Sequence, residues 1–160
     1  FIAMIMLFFF PVFRFLLPEL SNFFYQKNKE EILKLKKWFY RFSFMVSLLF
    51  VSIFYFLGEK IIAFIFPANY ANAYLYLSHL SFFFLFIMLN AYQVAFIKAS
   101  GAFGFALFIR LSGLGFFVFF FYVTHYFSQS SISVIFGLAM AYLGMFLLSW
   151  GIEKKVYAKL

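Results

Sequence analysis

Long apolar runs separated by short polar stretches dominate the chain, and each run is close to the length that crosses a bilayer. The runs cover about residues 1–17, 39–57, 74–97, 103–124 and 134–152. A transmembrane helix needs about 20 mostly apolar residues, so the pattern predicts five membrane-spanning helices. The first run begins at Phe1 inside apolar sequence, without a Met and without a basic leader region. We therefore expect the sequence to be a fragment whose N-terminal part is missing.

The most polar part of the chain, residues 27–41, lies between the first two runs. Asn28, with Glu31 three residues later, is typical of a capped helix start, and Glu30 stands four residues before Lys34. The helical period then predicts an apolar face and a basic face. These faces contain Ile32, Leu35, Phe39 and Phe42 on one side, and Lys34, Lys37 and Arg41 on the other. We interpret this stretch as a basic inner loop that is the solvated end of the second helix, with contact to anionic lipid or substrate as an additional hypothesis.

Composition narrows the class of protein. Hydrophobic residues make up 67% of the 160 residues and charged residues only 11%. A soluble domain carries roughly 25% charged residues, and so much apolar surface cannot be buried inside a chain of this length. The sequence therefore predicts an all-helical integral membrane protein. The net charge of +8 does not indicate nucleic-acid binding, because the basic residues cluster between apolar runs. The chain has no cysteine, so it has no disulfide.

The basic residues also predict the orientation in the membrane. Residues 27–41, Lys98, Arg110 and the C-terminal tail fall on the same side if Arg14 lies near that end of the first run. This arrangement puts twelve of the 13 basic residues on one side and Lys60 alone on the other. The positive-inside rule then predicts a cytoplasmic C-terminus.

Two further patterns predict where helices end and where they pack. Residues 58–60 (GEK) would mark the outer membrane surface, and residues 61–66 a short interfacial helix stopped by Pro67. Asn69, Tyr70 and Asn72 would continue that loop. Small residues in the last two runs predict close helix contacts. They are Gly113, Gly115, Gly137, Ala141 and Gly144, of which Gly113 and Gly115 would alternatively permit a bend.

Polar side chains within the apolar runs are the candidate functional residues, because such groups are costly in a membrane. They are Arg14, Arg41, Asn90, Gln93 and Arg110. Asn90 and Gln93 lie three residues apart on one helix face, where they could bind hydroxyl groups or link neighbouring helices. The alternative for Arg14 is an interfacial anchor whose charge reaches the headgroups. His79 fits an interfacial hydrogen bond better than a proton site.

Four short segments, in this order, resemble a known family. They are LLPELS at residues 16–21 with the Lys- and Glu-rich link after it, GEKIIAFIFPANYANAYLY at 58–76, AFIKASG at 95–101, and GLAMA at 137–141. Together they resemble the C-terminal part of a polysaccharide-biosynthesis membrane protein. The family that they resemble is that of the lipid-linked oligosaccharide (O-antigen-type) flippases of the multidrug/oligosaccharidyl-lipid/polysaccharide exporter superfamily.

The resemblance implies a transporter of two six-helix bundles around a cavity that opens to each side in turn. The five predicted helices would form most of the second bundle, with the missing N-terminal half as partner. The substrate would be an oligosaccharide on polyprenyl pyrophosphate. The protein would need no catalytic residues, metal or cofactor. Among the candidates, Arg14, Arg41 and Arg110 would bind the pyrophosphate, and Asn90 and Gln93 the sugar hydroxyls.

Other functions stay open at this point. A multidrug or cation antiporter of the same superfamily is the first alternative. A polyprenyl-linked glycosyltransferase-type membrane enzyme and a non-transporting membrane subunit are the others.

Overall fold

The computed structural model describes residues 2–67, 73–128 and 132–158, and all regular structure in these ranges is helical. Asn69, Tyr70, Asn72 and Lys159 lie outside the described residues. The helices are α1 Ile2–Tyr25, α2 Lys29–Ile65, α3 Ala73–Ser81, α4 Phe84–Ala99, α5 Phe103–Ser128 and α6 Ile132–Tyr157. The prediction of an all-helical protein is therefore confirmed for the described chain.

Within the described residues, α2, α5 and α6 are each long and apolar enough to cross a membrane. Helices α3 and α4 meet at a bend of 50° and would make a fourth span if they cross together. The membrane class is thus supported with three or four spans, and the five predicted spans are not confirmed. The predicted span 74–97 is broken, because a turn at Phe82 and Phe83 interrupts the regular helix.

Helix α2 is one continuous helix. Its basic start is the solvated helix end that the sequence predicted, but the predicted span and the predicted separate short helix at residues 61–66 are parts of the same helix. It has 37 residues, about 55 Å at the helical rise, which exceeds the roughly 30 Å hydrocarbon core of a bilayer. Residues 58–60 do not end it, because Gly58 is buried and packs beside Phe54 and Tyr74. The helix ends at Ile65, two residues before Pro67.

The start of α2 agrees with the predicted cap. The Asn28 side chain accepts a hydrogen bond of 3.2 Å from the Glu31 backbone N–H. The turn before it uses a left-handed backbone at Lys27, with φ of 52°. Lys34 pairs with Glu31 at 2.6 Å, and the helix that the spacing of Glu30 and Lys34 supported is present. Residues 29–41 therefore belong to the helix, and only residues 26–28 form the connection.

The two predicted faces of this segment are confirmed. Ile32 and Phe39 are fully buried, whereas Lys34, Lys37 and Arg41 are exposed. Burial of the apolar face positions the segment against the other helices.

Helix α4 is the central element of the bundle. Ten of its 16 residues are buried, and it packs against α1, α2 and α6. Tyr92 and Phe96 are among the largest fully buried side chains. The Tyr92 ring stacks on Phe39 of α2 at 5.4 Å, and the Phe96 ring lies 5.0 Å from that of Phe24 in α1. These aromatic contacts fix α4 between its two neighbours.

Helices α5 and α6 form the most extensive helix pair, and small residues allow their close approach. A Cβ on Gly144 would lie 2.6 Å from the Phe116 ring, and one on Gly137 would lie 3.2 Å from the Phe117 carbonyl oxygen. The predicted packing face of α6 is therefore confirmed. Gly115 differs, since nothing lies within 4 Å of a Cβ placed there.

A matched pair of glycine substitutions tests this packing. Alanine is favoured over glycine in a helix by roughly 0.5–1 kcal/mol. We expect Gly115→Ala to leave the free energy of unfolding unchanged or slightly higher. Gly144→Ala should lower it by about 1–3 kcal/mol, because the added methyl displaces Phe116. Unfolding in mixed detergent micelles measures both, and equal effects would contradict the packing.

Candidate functional site

A cleft of about 520 Å³ lies between α1, α4, α5 and α6. Residues on one face of α4 form one side of the cleft, and residues of α5 and α6 form the other side. The lining residues are Leu17, Ile87, Asn90, Ala91, Val94, Ala95, Lys98, Arg110, Gly113, Leu114, Tyr142 and Met145. Most of this lining is apolar, so the cleft suits a ligand with both hydrocarbon and polar parts.

The polar lining groups are cationic or neutral. Lys98 and Arg110 supply two positive charges, and Asn90 and Tyr142 supply an amide and a hydroxyl. The residues that line the cleft include no carboxylate. The charge of the described lining is therefore positive, which favours an anionic ligand group.

Asn90 connects the cleft to the helix packing behind it. Its Oδ1 accepts a 3.3 Å hydrogen bond from Ser149 Oγ, and its Nδ2 lies 3.7 Å from Met145 Sδ. Both partners are on α6, so Asn90 links α4 to α6. The Met145 contact is weak because a thioether is a poor acceptor. The amide N–H groups therefore retain hydrogen-bonding capacity toward a ligand.

The structure brings together two of the five predicted site residues. Asn90 and Arg110 line the cleft, whereas Arg14 and Arg41 are exposed and are not among its lining residues. Gln93 is fully buried outside the cleft, and its Nε2 donates a 3.4 Å hydrogen bond to the Tyr40 hydroxyl. Asn90 and Gln93 thus serve different neighbours, because α4 is packed by helices on several sides.

Lys98 was not predicted as a site residue. Its charge indicated only which side of the membrane the loop after α4 lies on. A signal was nevertheless present, because residues 87, 91, 94 and 98 follow the spacing of one helix face. That face is the one α4 presents to the cleft.

A second polar group of residues lies between α2, α4 and α6. It contains Lys36, Tyr40, Tyr92, Gln93, Glu153 and Tyr157, and we call it the α2–α6 polar cluster. Lys36 Nζ lies 2.8 Å from Glu153 Oε1, and the Glu153 side chain is only 1% exposed. The same Nζ is 5.3 Å from the ring centroids of both Tyr40 and Tyr157. The ammonium is thus held by one carboxylate and two aromatic faces.

The burial of Glu153 was also not predicted. Its position beside Lys154 and Lys155 indicated a polar tail at the membrane surface. In the structure it lies one helical turn after the fully buried Ser149, on the same face of α6. Lys154 and Lys155 face outward, and Lys154 Nζ lies 3.6 Å above the Trp150 ring.

No family model, curated protein or solved structure matches the chain. The two polar sites described above are therefore the structural basis for a proposed function.

The Lys36–Glu153 pair makes a specific prediction about stability. Lys36→Met leaves the Glu153 charge buried without its partner, and we expect a loss of about 3–5 kcal/mol in the free energy of unfolding. The double variant Lys36→Met/Glu153→Leu should lose less than the single variant, because no unpaired charge is left.

The control for this prediction is Lys34→Met, which removes an exposed pair with Glu31. We expect it to cost less than about 1 kcal/mol. Unfolding curves for the four proteins provide the comparison. A double variant less stable than Lys36→Met would contradict the stabilising role of the pair.

Proposed function

We propose that the chain forms part of a transporter that moves polyprenyl-pyrophosphate-linked oligosaccharide across the cytoplasmic membrane, without catalysing a reaction. The observation that carries this proposal is the cleft in which Lys98, Arg110 and Asn90 occur together among apolar residues. Such a lining matches an amphipathic ligand that has an anionic group, hydroxyl groups and a hydrocarbon chain.

The physical problem in this transport is the headgroup. Moving a pyrophosphate and many hydroxyls through hydrocarbon removes their hydration at large cost. In our proposal, Lys98 and Arg110 replace water at the phosphate oxygens with charge-assisted hydrogen bonds. Asn90 and Tyr142 bind hydroxyl groups. The prenyl chain stays in lipid beside Leu114, which lines the cleft and is 66% exposed.

The order of the four sequence segments adds independent support for this function. In the family they resemble, a second helical bundle completes the cavity, and the two bundles rock to open it to each side in turn. We propose the same arrangement here, with a second helical bundle as partner and the C-terminus in the cytoplasm. The exposed Lys154 and Lys155 at the end of α6 agree with that orientation.

The strongest rival is an antiporter for organic cations. Such a protein needs a carboxylate that is accessible to the cation, and the described lining of the cleft contains none. The buried carboxylate of Glu153 lies in the α2–α6 polar cluster and is paired with Lys36. The cleft therefore favours the anionic substrate over the cationic one.

Binding measurements on the purified chain test the proposal. The probe is a water-soluble short-prenyl pyrophosphate disaccharide. Hydrogen bonds to charged groups contribute about 1.5–3 kcal/mol, so we expect Arg110→Gln and Lys98→Gln each to raise Kd about tenfold or more. Arg14→Gln removes the same charge from an exposed position outside the cleft and should leave Kd unchanged.

Tetraphenylphosphonium serves as the cationic competitor in the same experiment. It should not displace the pyrophosphate probe. Displacement by this cation, or equal effects of Arg14→Gln and Arg110→Gln, would contradict the proposed function.

A further inference from the structure

The outward face of α2 changes from basic to apolar along a single stripe. At about 100° per residue, positions 34, 37, 41, 44 and 48 fall within about 80° of one another around the helix axis. They are occupied by Lys34, Lys37, Arg41, Phe44 and Leu48, and all five side chains are exposed. From the first to the last, the stripe extends about 21 Å.

Two of the three basic residues of the stripe have no ion-pair partner among the described residues. Lys34 pairs with Glu31, but among the residues the structure describes, Lys37 and Arg41 have no acidic partner within ion-pair distance. The stripe points away from Ile32 and Phe39, which are buried in the bundle. Two cations are therefore free to contact molecules outside the bundle.

The apolar part of the stripe is equally open. Phe44 and Leu48 are 58% and 59% exposed, and the neighbouring Met45 is 70% exposed. Helix α2 is one of the candidate membrane spans, so these side chains fit acyl chains. Trp38, 54% exposed, lies where the basic part meets the apolar part. Tryptophan is enriched at that depth, where headgroups meet hydrocarbon.

We propose that this stripe binds an anionic phospholipid, with its phosphate group at Lys37 and Arg41 and its acyl chains along Phe44 and Leu48. An anionic phospholipid changes from negative charge to hydrocarbon along its length, as the stripe changes from positive charge to apolar side chains. Arg41 therefore belongs to a lipid contact on the outside of the bundle and not to the substrate cleft. This inference does not depend on the proposed transport function.

Fluorescence quenching by brominated lipids tests the proposal directly. The chain has two tryptophans, so Trp150→Phe leaves Trp38 as the single reporter beside the stripe. The protein is reconstituted in vesicles that contain brominated phosphatidylglycerol or brominated phosphatidylcholine. A basic residue near the membrane surface contributes about 1 kcal/mol to anionic lipid binding. We therefore expect phosphatidylglycerol to be preferred at Trp38 by about fivefold or more.

The variant Lys37→Gln/Arg41→Gln should reduce this preference to less than about twofold. Lys154→Gln/Lys155→Gln removes the same charge from the exposed end of α6 and should leave the preference unchanged. Phosphatidic acid and phosphatidylserine should compete with phosphatidylglycerol, because the stripe selects lipids by their negative charge and not by one particular headgroup.

Two results would overturn the proposal. Equal quenching by the two lipids would show that the cations do not select anionic lipid. Absence of quenching by either would show that protein, such as a second copy or another segment, covers the stripe. Native mass spectrometry of the chain with both tryptophans provides a second measurement. The unmodified chain should retain more phosphatidylglycerol than the Lys37→Gln/Arg41→Gln variant. Equal retention would also contradict the proposal.

Discussion

The structure depends on one electrostatic constraint, the pairing of Glu153 with Lys36 inside an apolar bundle. A carboxylate that is 1% exposed would be very costly without a positive partner. The pair fixes the end of α6 beside the start of α2, and Tyr92 of α4 packs against Tyr40 in the same region with ring centroids 5.6 Å apart. Three helices that are distant in sequence thus meet in one α2–α6 polar cluster. Hydrophobic burial alone is non-directional and would not specify this register.

The same arrangement determines where the cleft forms. With α4 held against α2 and α6 by the cluster, its opposite face is directed toward α1 and α5. Asn90 lies at the boundary between the two regions, because it lines the cleft and also accepts a hydrogen bond from Ser149 of α6. A ligand that bound the Asn90 amide would therefore act on the contact between α4 and α6. The cleft and the cluster are separate sites that share two helices.

The sequence predicted the features that depend on local chemistry and on helical period. The Asn28 cap, the basic and apolar faces of residues 29–42 and the small-residue face around Gly144 are all of this kind. The continuity of α2 could not be predicted, because glycine is common where helices end, and only the fold shows Gly58 buried beside Phe54 and Tyr74 within a helix. The break at Phe82 and Phe83 was also missed, since both residues are apolar and continue the hydrophobic run.

The candidate site was predicted in part, for a similar reason. Polarity within an apolar run identifies costly side chains such as Asn90 and Arg110, and both of these line the cleft. Polarity does not show which helices become neighbours. It therefore could not show that Gln93 and Arg41 lie outside the cleft that Asn90 and Arg110 line. For the same reason it could not show that Glu153 is buried while the adjacent Lys154 is exposed.

A cleft that binds a phosphate-bearing lipid must be hydrated and positively charged, and cysteine accessibility tests this property most directly. The chain has no cysteine, so Ala91→Cys places a single thiol in the lining of the cleft. We predict that a membrane-impermeant thiol reagent labels it in vesicles and that a short-prenyl pyrophosphate slows the labelling. Leu48→Cys, on the lipid-facing side of α2, should stay unlabelled. Absence of labelling at Ala91→Cys, or labelling that the pyrophosphate does not slow, would contradict the account.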